Sequence, residues 1–129
     1  HFTLKPLDLF SGRPEEGAVN CDVRDLGHLV SVFQGCDAVV HLAAFPGPWM
    51  QPDAKVYQDN TVGSYNVLLA CELLGIKKIC LASSINAIGG VYSRLPTYDY
   101  FPVDEEHPTY SEDPYSLSGN PGRLLCSEA

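Results

Sequence analysis

The chain has 129 residues, which is enough for one domain with a buried core. It carries 16 acidic and 8 basic side chains, and this net charge of −8 argues against nucleic acid or an anionic membrane as a partner. No apolar run approaches the roughly 20 residues that span a bilayer, and the first residues lack the pattern of a signal peptide.

The cysteines favour a reducing location. There are five, an odd number, and they lie mostly in apolar segments. They are Cys21, Cys36, Cys71, Cys80 and Cys126, and none belongs to a C-x-x-C pair. We therefore expect buried, reduced thiols in a cytoplasmic protein, rather than disulfides or a zinc site.

The first third of the chain predicts two strands and a helix. Phe2 to Leu9 and Ala18 to Cys21 have the composition of strands, although Pro6 weakens the first prediction. Asp25 can accept a hydrogen bond at a helix start, which predicts a short helix from Leu26 to Phe33. The apolar face of that helix consists of Leu26, Leu29, Val30 and Phe33.

The segment from Ala38 to Leu42 is a nearly unbroken apolar run. This pattern is typical of a central strand in a parallel sheet, covered by helices on both faces. The run ends in Ala43 and Ala44, whose small side chains let another molecule approach the backbone. Ligands of open parallel sheets bind beyond the carboxyl ends of the strands. The alternative is that the two alanines only ease the packing of a helix.

A long helix is predicted from Asp53 to Leu74, after an irregular loop that contains Trp49. Its buried face follows spacings of three or four residues through Val56, Asn60, Gly63, Val67, Ala70 and Leu74. Gly75 is suited to end it, and the apolar run from Ile79 to Ser83 predicts the next strand. A strand, a helix and a parallel strand form a crossover unit, so the fold class is α/β with a doubly wound parallel sheet.

The chain changes character between Gly89 and Pro114. Five aromatic side chains lie there among prolines and acidic residues, which predicts a long ordered loop rather than a linker. Proline is tolerated in the first turn of a helix, so a last helix should begin near Pro114. Pro121 should break or restart that helix.

Four polar features fall at or just beyond predicted strand ends. Asp8 could hold the hydroxyls of an adenosine ribose, or it could be a solvated turn residue. Asp22 and Val23 could contact an adenine edge, or Asp22 could be a capping aspartate beside Asp25. Ser84 could bond a reacting oxygen or simply end a strand, and Tyr115 could face the same cleft or only pack.

Together these features resemble one family. The segments HLAAFP, DNTVGSYNVLLACELLG, ASSINAIGG and DPYSLS occur in that order, and they resemble the extended short-chain dehydrogenase/reductase family. They are nearest its NAD-dependent epimerase/dehydratase branch, which acts on nucleotide sugars and related uronates. The resemblance runs from about Leu4 to Leu117. It implies that residues 1–129 are a partial, Rossmann-type NAD(P)-binding domain, without the first strand and its glycine-rich turn and without the carboxyl-terminal substrate lobe.

The resemblance also implies roles for individual residues. The cofactor-binding residues would be Asp8, Asp22, Val23, Leu42, Ala43, Ala44 and Asn60. The acidic Asp8 at the ribose would favour NAD over NADP. The residues on the substrate side would be Ser84, Ile85 and Asn86. Ser84 would orient the substrate oxygen while Tyr115 acts as the catalytic acid/base.

The chemistry explains what such a site needs. Removing a hydride from a sugar carbon requires removal of the hydroxyl proton, and a tyrosine does this as its phenolate. Free tyrosine is only about 0.1% ionised at pH 7. The family therefore has a lysine four residues after the tyrosine, which stabilises the phenolate. This chain departs from the pattern, because Gly119 occupies that position.

The expected function is NAD-dependent epimerase, dehydratase or dehydrogenase chemistry on a sugar-like hydroxyl. The alternative is a catalytically inactive, truncated chain that acts at most as a binding or dimerisation module. Without the glycine-rich turn we expect weak NAD binding or none. We also expect a homodimer, because the long helix carries extra apolar surface at Tyr65, Leu68, Leu69 and Leu73.

Overall fold

The computed structural model describes residues 3–9 and 17–119. The chain separates into two units. Unit 1 holds the described residues up to Ala43 together with Val62–Cys80. Unit 2 holds Ala44–Thr61 and the described residues from Leu81 onward. Within the described ranges, no helix is long and apolar enough to cross a membrane.

Unit 1 begins with two short strands, β1 (Leu7–Asp8) and β2 (Val19–Asn20), which pair in parallel. The Cys21 N–H extends the ladder by donating to the Asp8 carbonyl at 2.9 Å. Both strands are shorter than predicted, and Phe2 lies outside the described residues. Pro6 explains part of the difference, because it has no N–H for a ladder, although its carbonyl accepts from the Val19 N–H at 2.9 Å.

Helix α1 (Leu26–Phe33) has the predicted bounds, and its cap is the predicted one. The Asp25 carboxylate accepts a hydrogen bond from the His28 N–H at 3.0 Å. The buried side chains are Leu29, Val32 and Phe33, whereas Leu26 and Val30 are half-buried. The prediction therefore missed Val32.

Strands β3 (Ala38–His41) and β4 (Lys78–Leu81) are neighbours in a second two-stranded sheet, with the long helix between them in sequence. The prediction that both faces of β3 are covered is wrong for this chain. Val39 and His41 are buried, but Val40 is 65% exposed. An apolar run is compatible with one or two covered faces, and only the packing decides between them. Strand β4 also ends at Leu81 rather than at Ser83.

Helix α2 (Asp53–Leu74) confirms the predicted helix at both ends. Five of the six predicted core positions are buried, and Leu74 is half-buried. Gly75 ends the helix with φ +69°, a left-handed conformation that favours glycine. The Gly75 N–H donates to the Glu72 carbonyl at 3.1 Å, and the Ile76 N–H donates to the Cys71 carbonyl at 2.9 Å. These two bonds form a Schellman cap.

In unit 2, residues 89–113 contain no helix or strand, as the sequence predicts. His107, which is 1% exposed, organises the middle of this loop. Its Nε2 accepts from the Asp99 N–H at 3.1 Å, and its Nδ1 donates to the Pro108 carbonyl at 2.7 Å. Tyr98 and Tyr100 pack on the imidazole, with ring centroids 6.3 and 4.9 Å from it.

Because His41 is buried, we expect the free energy of unfolding to decrease in mild acid. Burial lowers the pKa of the His41 imidazole below its ordinary value of 6.5. The unfolded chain therefore binds a proton at a pH where folded His41 is still neutral, so the free energy of unfolding decreases as the pH falls below 6.5.

Urea unfolding at about pH 7 and about pH 5 measures this effect. Replacement His41→Gln should reduce the loss of stability between the two pH values. An equal loss in both proteins would contradict the assignment to His41.

Candidate functional site

The predicted adenosine residues of unit 1 lie at strand ends. Asp8 is the last residue of β1 and is exposed, while Asp22 and Val23 follow β2. The Asp22 carboxylate takes part in its own turn, because its Oδ1 accepts from the Arg24 backbone N–H at 2.9 Å. Its Oδ2 also forms an ion pair with Arg24 Nη2 at 2.6 Å. This geometry favours the capping alternative for the Asp22 side chain.

Helix α2 positions Val23 through two residues that the sequence analysis gave no such role. Asn66 is buried, and its Nδ2 donates to the Val23 carbonyl at 3.2 Å and to the Arg24 carbonyl at 2.9 Å. A Cβ on Gly63 would lie 2.7 Å from Val23 Cγ2, so only glycine lets Val23 pack this closely. The three-residue spacing from Gly63 to Asn66 places both on one side of the helix, which was the available signal.

The segment after β3 presents small or exposed side chains. Leu42 and Ala43 in unit 1 are exposed, and so is Ala44 in unit 2. The two alanines leave their backbone accessible, which fits the close approach of a cofactor at the carboxyl end of a strand. Their packing alternative loses support, because neither methyl group is buried.

Asn60, in unit 2, is 7% exposed, and both polar atoms of its side-chain amide have hydrogen-bond partners within the protein. Its Oδ1 accepts from the Phe45 N–H at 2.8 Å. Its Nδ2 donates to the Phe45 carbonyl at 3.2 Å and to Ser118 Oγ at 3.1 Å. A contact between Asn60 and the cofactor stays a prediction, and the observed bonds favour a positioning role.

Ser84 begins a short 3₁₀ helix, Ile85–Ile88, in unit 2. Its Oγ accepts two hydrogen bonds of 3.2 Å, from the Asn86 N–H and from Asn86 Nδ2. Asn86 is buried, and its Oδ1 accepts from the Val91 N–H at 3.0 Å, whereas Ile85 is exposed. The structure thus brings the three predicted substrate residues together, with Asn86 directed at Ser84.

Tyr115 lies in the first turn of a helix that covers 114–119, close to where the sequence predicts it. Asp113 caps this helix: its Oδ1 accepts from the Tyr115 N–H at 3.0 Å and from the Ser116 N–H at 2.9 Å. The Asp-Pro pair at the helix start was the signal for this cap, which the sequence analysis did not use. Ser118 Oγ donates to the Tyr115 carbonyl at 2.7 Å.

The Tyr115 side chain is half-buried beside other aromatic rings. Its ring centroid lies 5.8 Å from that of Tyr92, and the Tyr92 ring lies 4.8 Å from Trp49 in an edge-to-face contact. Trp49 is itself 68% exposed. Unit 2 therefore presents Tyr115 at one end of a row of three aromatic side chains.

Gly119 is half-buried, and there is room for a side chain at this position. A Cβ there would meet only Ala87 Cβ within 4 Å, at an ordinary contact distance of 3.9 Å. Steric crowding therefore does not explain the glycine. The predicted break at Pro121 lies outside the described residues.

The described residues contain no group of three or more His, Cys, Asp or Glu side chains that could hold a metal ion. Four of the cysteines are free thiols: Cys21, Cys36, Cys71 and Cys80. Cys21 and Cys71 are buried as expected, but Cys36 is half-buried and Cys80 is exposed, so the expectation of burial is wrong for these two. Burial, together with the carboxylates of Asp25 and Asp22, raises the pKa of the Cys21 thiol. Cys126 lies outside the described residues.

Comparison with known proteins identifies the family. The profile of the NAD dependent epimerase/dehydratase family matches residues 7–128. The chain belongs to the NAD-dependent epimerase/dehydratase family. An N-acetyl-alpha-D-glucosaminyl-diphospho-ditrans,octacis-undecaprenol 4-epimerase of Escherichia coli O157:H7 is 37% identical over 120 residues, which is 92% of this chain and 33% of the relative.

Two solved structures share the fold. A short-chain dehydrogenase/reductase superfamily protein from Agrobacterium tumefaciens with bound NAD has a TM-score of 0.77 and 26% identity, over 96% of this chain and 36% of that one. Uronate dehydrogenase from the same species has a TM-score of 0.75 and 27% identity, over 92% and 43%. The Rossmann-type α/β class expected from the sequence is confirmed.

The match covers only part of each relative. The chain spans between 20% and 33% of the length of the first four curated relatives that it matches. These matches therefore do not extend the activity, substrates or partners of the relatives to this chain.

Because Gly63 lies against Val23, the effect of Gly63→Ala on stability should depend on the side chain at position 23. Replacement Gly63→Ala should destabilise the chain, because the clash with Val23 outweighs a gain of about 1 kcal/mol in helix propensity. In a Val23→Ala background the same replacement should stabilise it by about 1 kcal/mol, because the clash is gone. Urea unfolding of the four proteins measures the coupling. Equal effects in both backgrounds would show that the contact does not constrain Val23.

Proposed function

We propose that unit 1 carries residues for the cofactor ribose, that unit 2 carries acid–base residues, and that both serve NAD-dependent oxidation of a sugar hydroxyl. The observation that carries the proposal is the placement of Tyr115. It lies in the first turn of a helix that Asp113 caps and that Asn60 anchors through Ser118, in the same unit as Ser84. The final reaction would be epimerisation, dehydration or dehydrogenation of a nucleotide sugar or a related sugar.

The residues of unit 1 fit an NAD molecule by their chemistry. Asp8, at the carboxyl end of β1, offers an exposed carboxylate for the two ribose hydroxyls, and it would repel the additional phosphate of NADP. The exposed Leu42 and Ala43 follow β3 and leave the backbone accessible. Val23 would offer its side chain and backbone to adenine, while Asp22 keeps the turn in place through Arg24.

The Ser84 hydroxyl is prepared to donate a hydrogen bond. A serine hydroxyl has one donor and two acceptor sites, and Asn86 supplies hydrogen bonds to both acceptor sites. The O–H of Ser84 is then available to donate to the oxygen of a substrate. Ile85, which is exposed, would contact the substrate, and the buried Asn86 would orient Ser84.

Tyr115 would move the proton. As phenolate it takes the proton of the substrate hydroxyl while Ser84 holds the same oxygen, so that the C–O bond can become a carbonyl. NAD, when bound, supplies the acceptor for the hydride that leaves the carbon. In the reverse direction the Tyr115 hydroxyl returns its proton to the carbonyl oxygen.

Gly119 supports a second candidate, which is a binding module without catalysis. No cation stands one helical turn after Tyr115, so the phenolate lacks the charge that would stabilise it from that position. The four free thiols support a reducing, cytoplasmic location for either candidate.

Replacement Gly119→Lys tests the two candidates. The site has space for the new side chain, and an ammonium group there would favour the phenolate. The segment is placed in an intact homologous scaffold, so that NAD and substrate can bind. NADH formation from a panel of sugars should then be faster with lysine than with Gly119 by roughly 10²–10⁴-fold at neutral pH, and the pH–rate profile should move to lower pH.

Replacement Gly119→Met is the matched control, because it restores helix propensity without adding charge. If methionine accelerates the reaction as much as lysine, the acid–base role of Tyr115 is wrong. If neither variant forms NADH with any sugar, the non-catalytic candidate is favoured.

A homodimer through helix α2 is also part of the proposal. Tyr65 is 56% exposed and Leu73 is 63% exposed, and their spacing places them on one side of the helix. Leu68 and Leu69 are half-buried between them. Isologous pairing of two such helices would remove this apolar surface from water.

Replacement Leu73→Glu should shift the protein towards monomer in sedimentation velocity at tens of micromolar. Leu95→Glu, at an exposed loop position, changes the net charge equally and should leave the association unchanged. A monomeric parent protein at that concentration would count against the dimer.

A further inference from the structure

Unit 2 contains an open pocket beside the candidate site, and the roles given to the site residues so far do not include it. Its volume is about 490 Å³, within the roughly 300–1,000 Å³ range of small-ligand sites. Pro48, Tyr92 and Pro114 form flat, largely apolar walls. The Tyr92 ring connects the pocket to the candidate site, because it also contacts Tyr115.

The polar lining consists of one guanidinium and three carboxylates: Arg94, Asp53, Glu112 and Asp113. The Asp113 carboxylate is engaged by the helix that it caps, through the Tyr115 and Ser116 N–H groups and the Ser116 hydroxyl. Glu112 is held on the pocket wall, because its Oε2 accepts from the Arg94 backbone N–H at 2.7 Å.

Donor and acceptor groups thus face the same space. The Arg94 guanidinium can only donate hydrogen bonds, whereas the carboxylates of Asp53 and Glu112 can only accept them. A hydroxyl group does both, so a ring that carries several hydroxyls matches this lining better than a purely donating or purely accepting ligand. Aromatic and proline walls suit the C–H faces of such a ring.

The charges of the lining disfavour an anionic ligand. Three carboxylates outnumber one guanidinium, and the chain as a whole carries a net charge of −8. A ligand carboxylate would meet more like than opposite charge in this partly enclosed space. The positive charge of Arg94 can compensate one carboxylate, but Asp53 and Glu112 together carry two negative charges.

We propose that this pocket is a subsite for an uncharged, polyhydroxylated ring, and that Asp53 and Glu112 exclude rings that carry a carboxylate. The proposal rests on the proposed function and narrows its substrate class to neutral sugars rather than uronates.

Binding of D-galactose and D-galacturonate tests the inference, because the two sugars differ only at the C6 carboxylate. Trp49 is the only tryptophan in the chain and contacts Tyr92, so its fluorescence reports occupancy of the pocket. Saturation-transfer NMR provides a second readout that does not depend on fluorescence. For so small a ligand we expect galactose to bind with a dissociation constant in the millimolar range. Galacturonate should bind about tenfold more weakly.

The double variant Asp53→Asn/Glu112→Gln should abolish this preference, because it removes two charges while keeping polar groups of similar size. Asp37→Asn/Glu72→Gln is the matched control, since both are exposed acids outside the pocket lining. The control should keep the preference of the parent protein.

Three results would overturn the subsite: no saturable signal with galactose in either readout, equal or tighter binding of galacturonate, or an equal change in the control. The assay contains no NAD and requires no turnover. Galactose binding without hydride transfer would therefore overturn the proposed function alone, and NADH formation without the predicted preference would overturn the subsite alone.

Discussion

The buried amide of Asn60 is the constraint on which the candidate catalytic part depends. A buried amide that loses a partner costs about 1–3 kcal/mol, so its bonds to Phe45 and Ser118 hold both segments in place. Ser118 in turn bonds the Tyr115 carbonyl. The position of the tyrosine backbone within unit 2 therefore depends on a side chain that does not need to touch a ligand.

In unit 1, helix α2 again holds a neighbouring segment through a buried asparagine side chain. Asn66 bonds the carbonyls of Val23 and Arg24, and Gly63 gives Val23 the space to approach. Asn60, Gly63 and Asn66 all lie in the segment DNTVGSYNVLLACELLG, which is one of those that carried the family resemblance. All three of these residues make contacts that hold the fold in place. A motif identifies positions that the fold requires, but it does not say which atoms those positions touch. The bonds of Asn60 to Phe45 and Ser118 were therefore not predictable from it.

The sequence predicted correctly those parts of the fold that depend on residues close together in the chain. Helix α1 has its cap at Asp25, and helix α2 has its spacing and Gly75, so their bounds were correct. Strand lengths and the cover over β3 depend on partners far away in sequence, so those predictions were less accurate. The candidate site divides in the same way. The places of Ser84 after a strand and of Tyr115 in the first turn of a helix follow from local pattern, and their predicted roles come from the family resemblance. The role of Asn66 and the pocket lining depend on tertiary contacts.

The uncovered face of β3 has a consequence for the behaviour of the protein in solution. The run Ala38–Leu42 is short, β-branched in part, and free of acidic, lysine, arginine and proline residues, which is the composition of segments that stack between chains. Val40 exposes such a face. Charged residues flank the sheet, with Asp37 before β3 and Lys77 before β4, and such flanking charges act as gatekeepers against stacking. The excess negative charge also opposes stacking of chains through β3, and solubility should decrease in acid, where carboxylates become neutral.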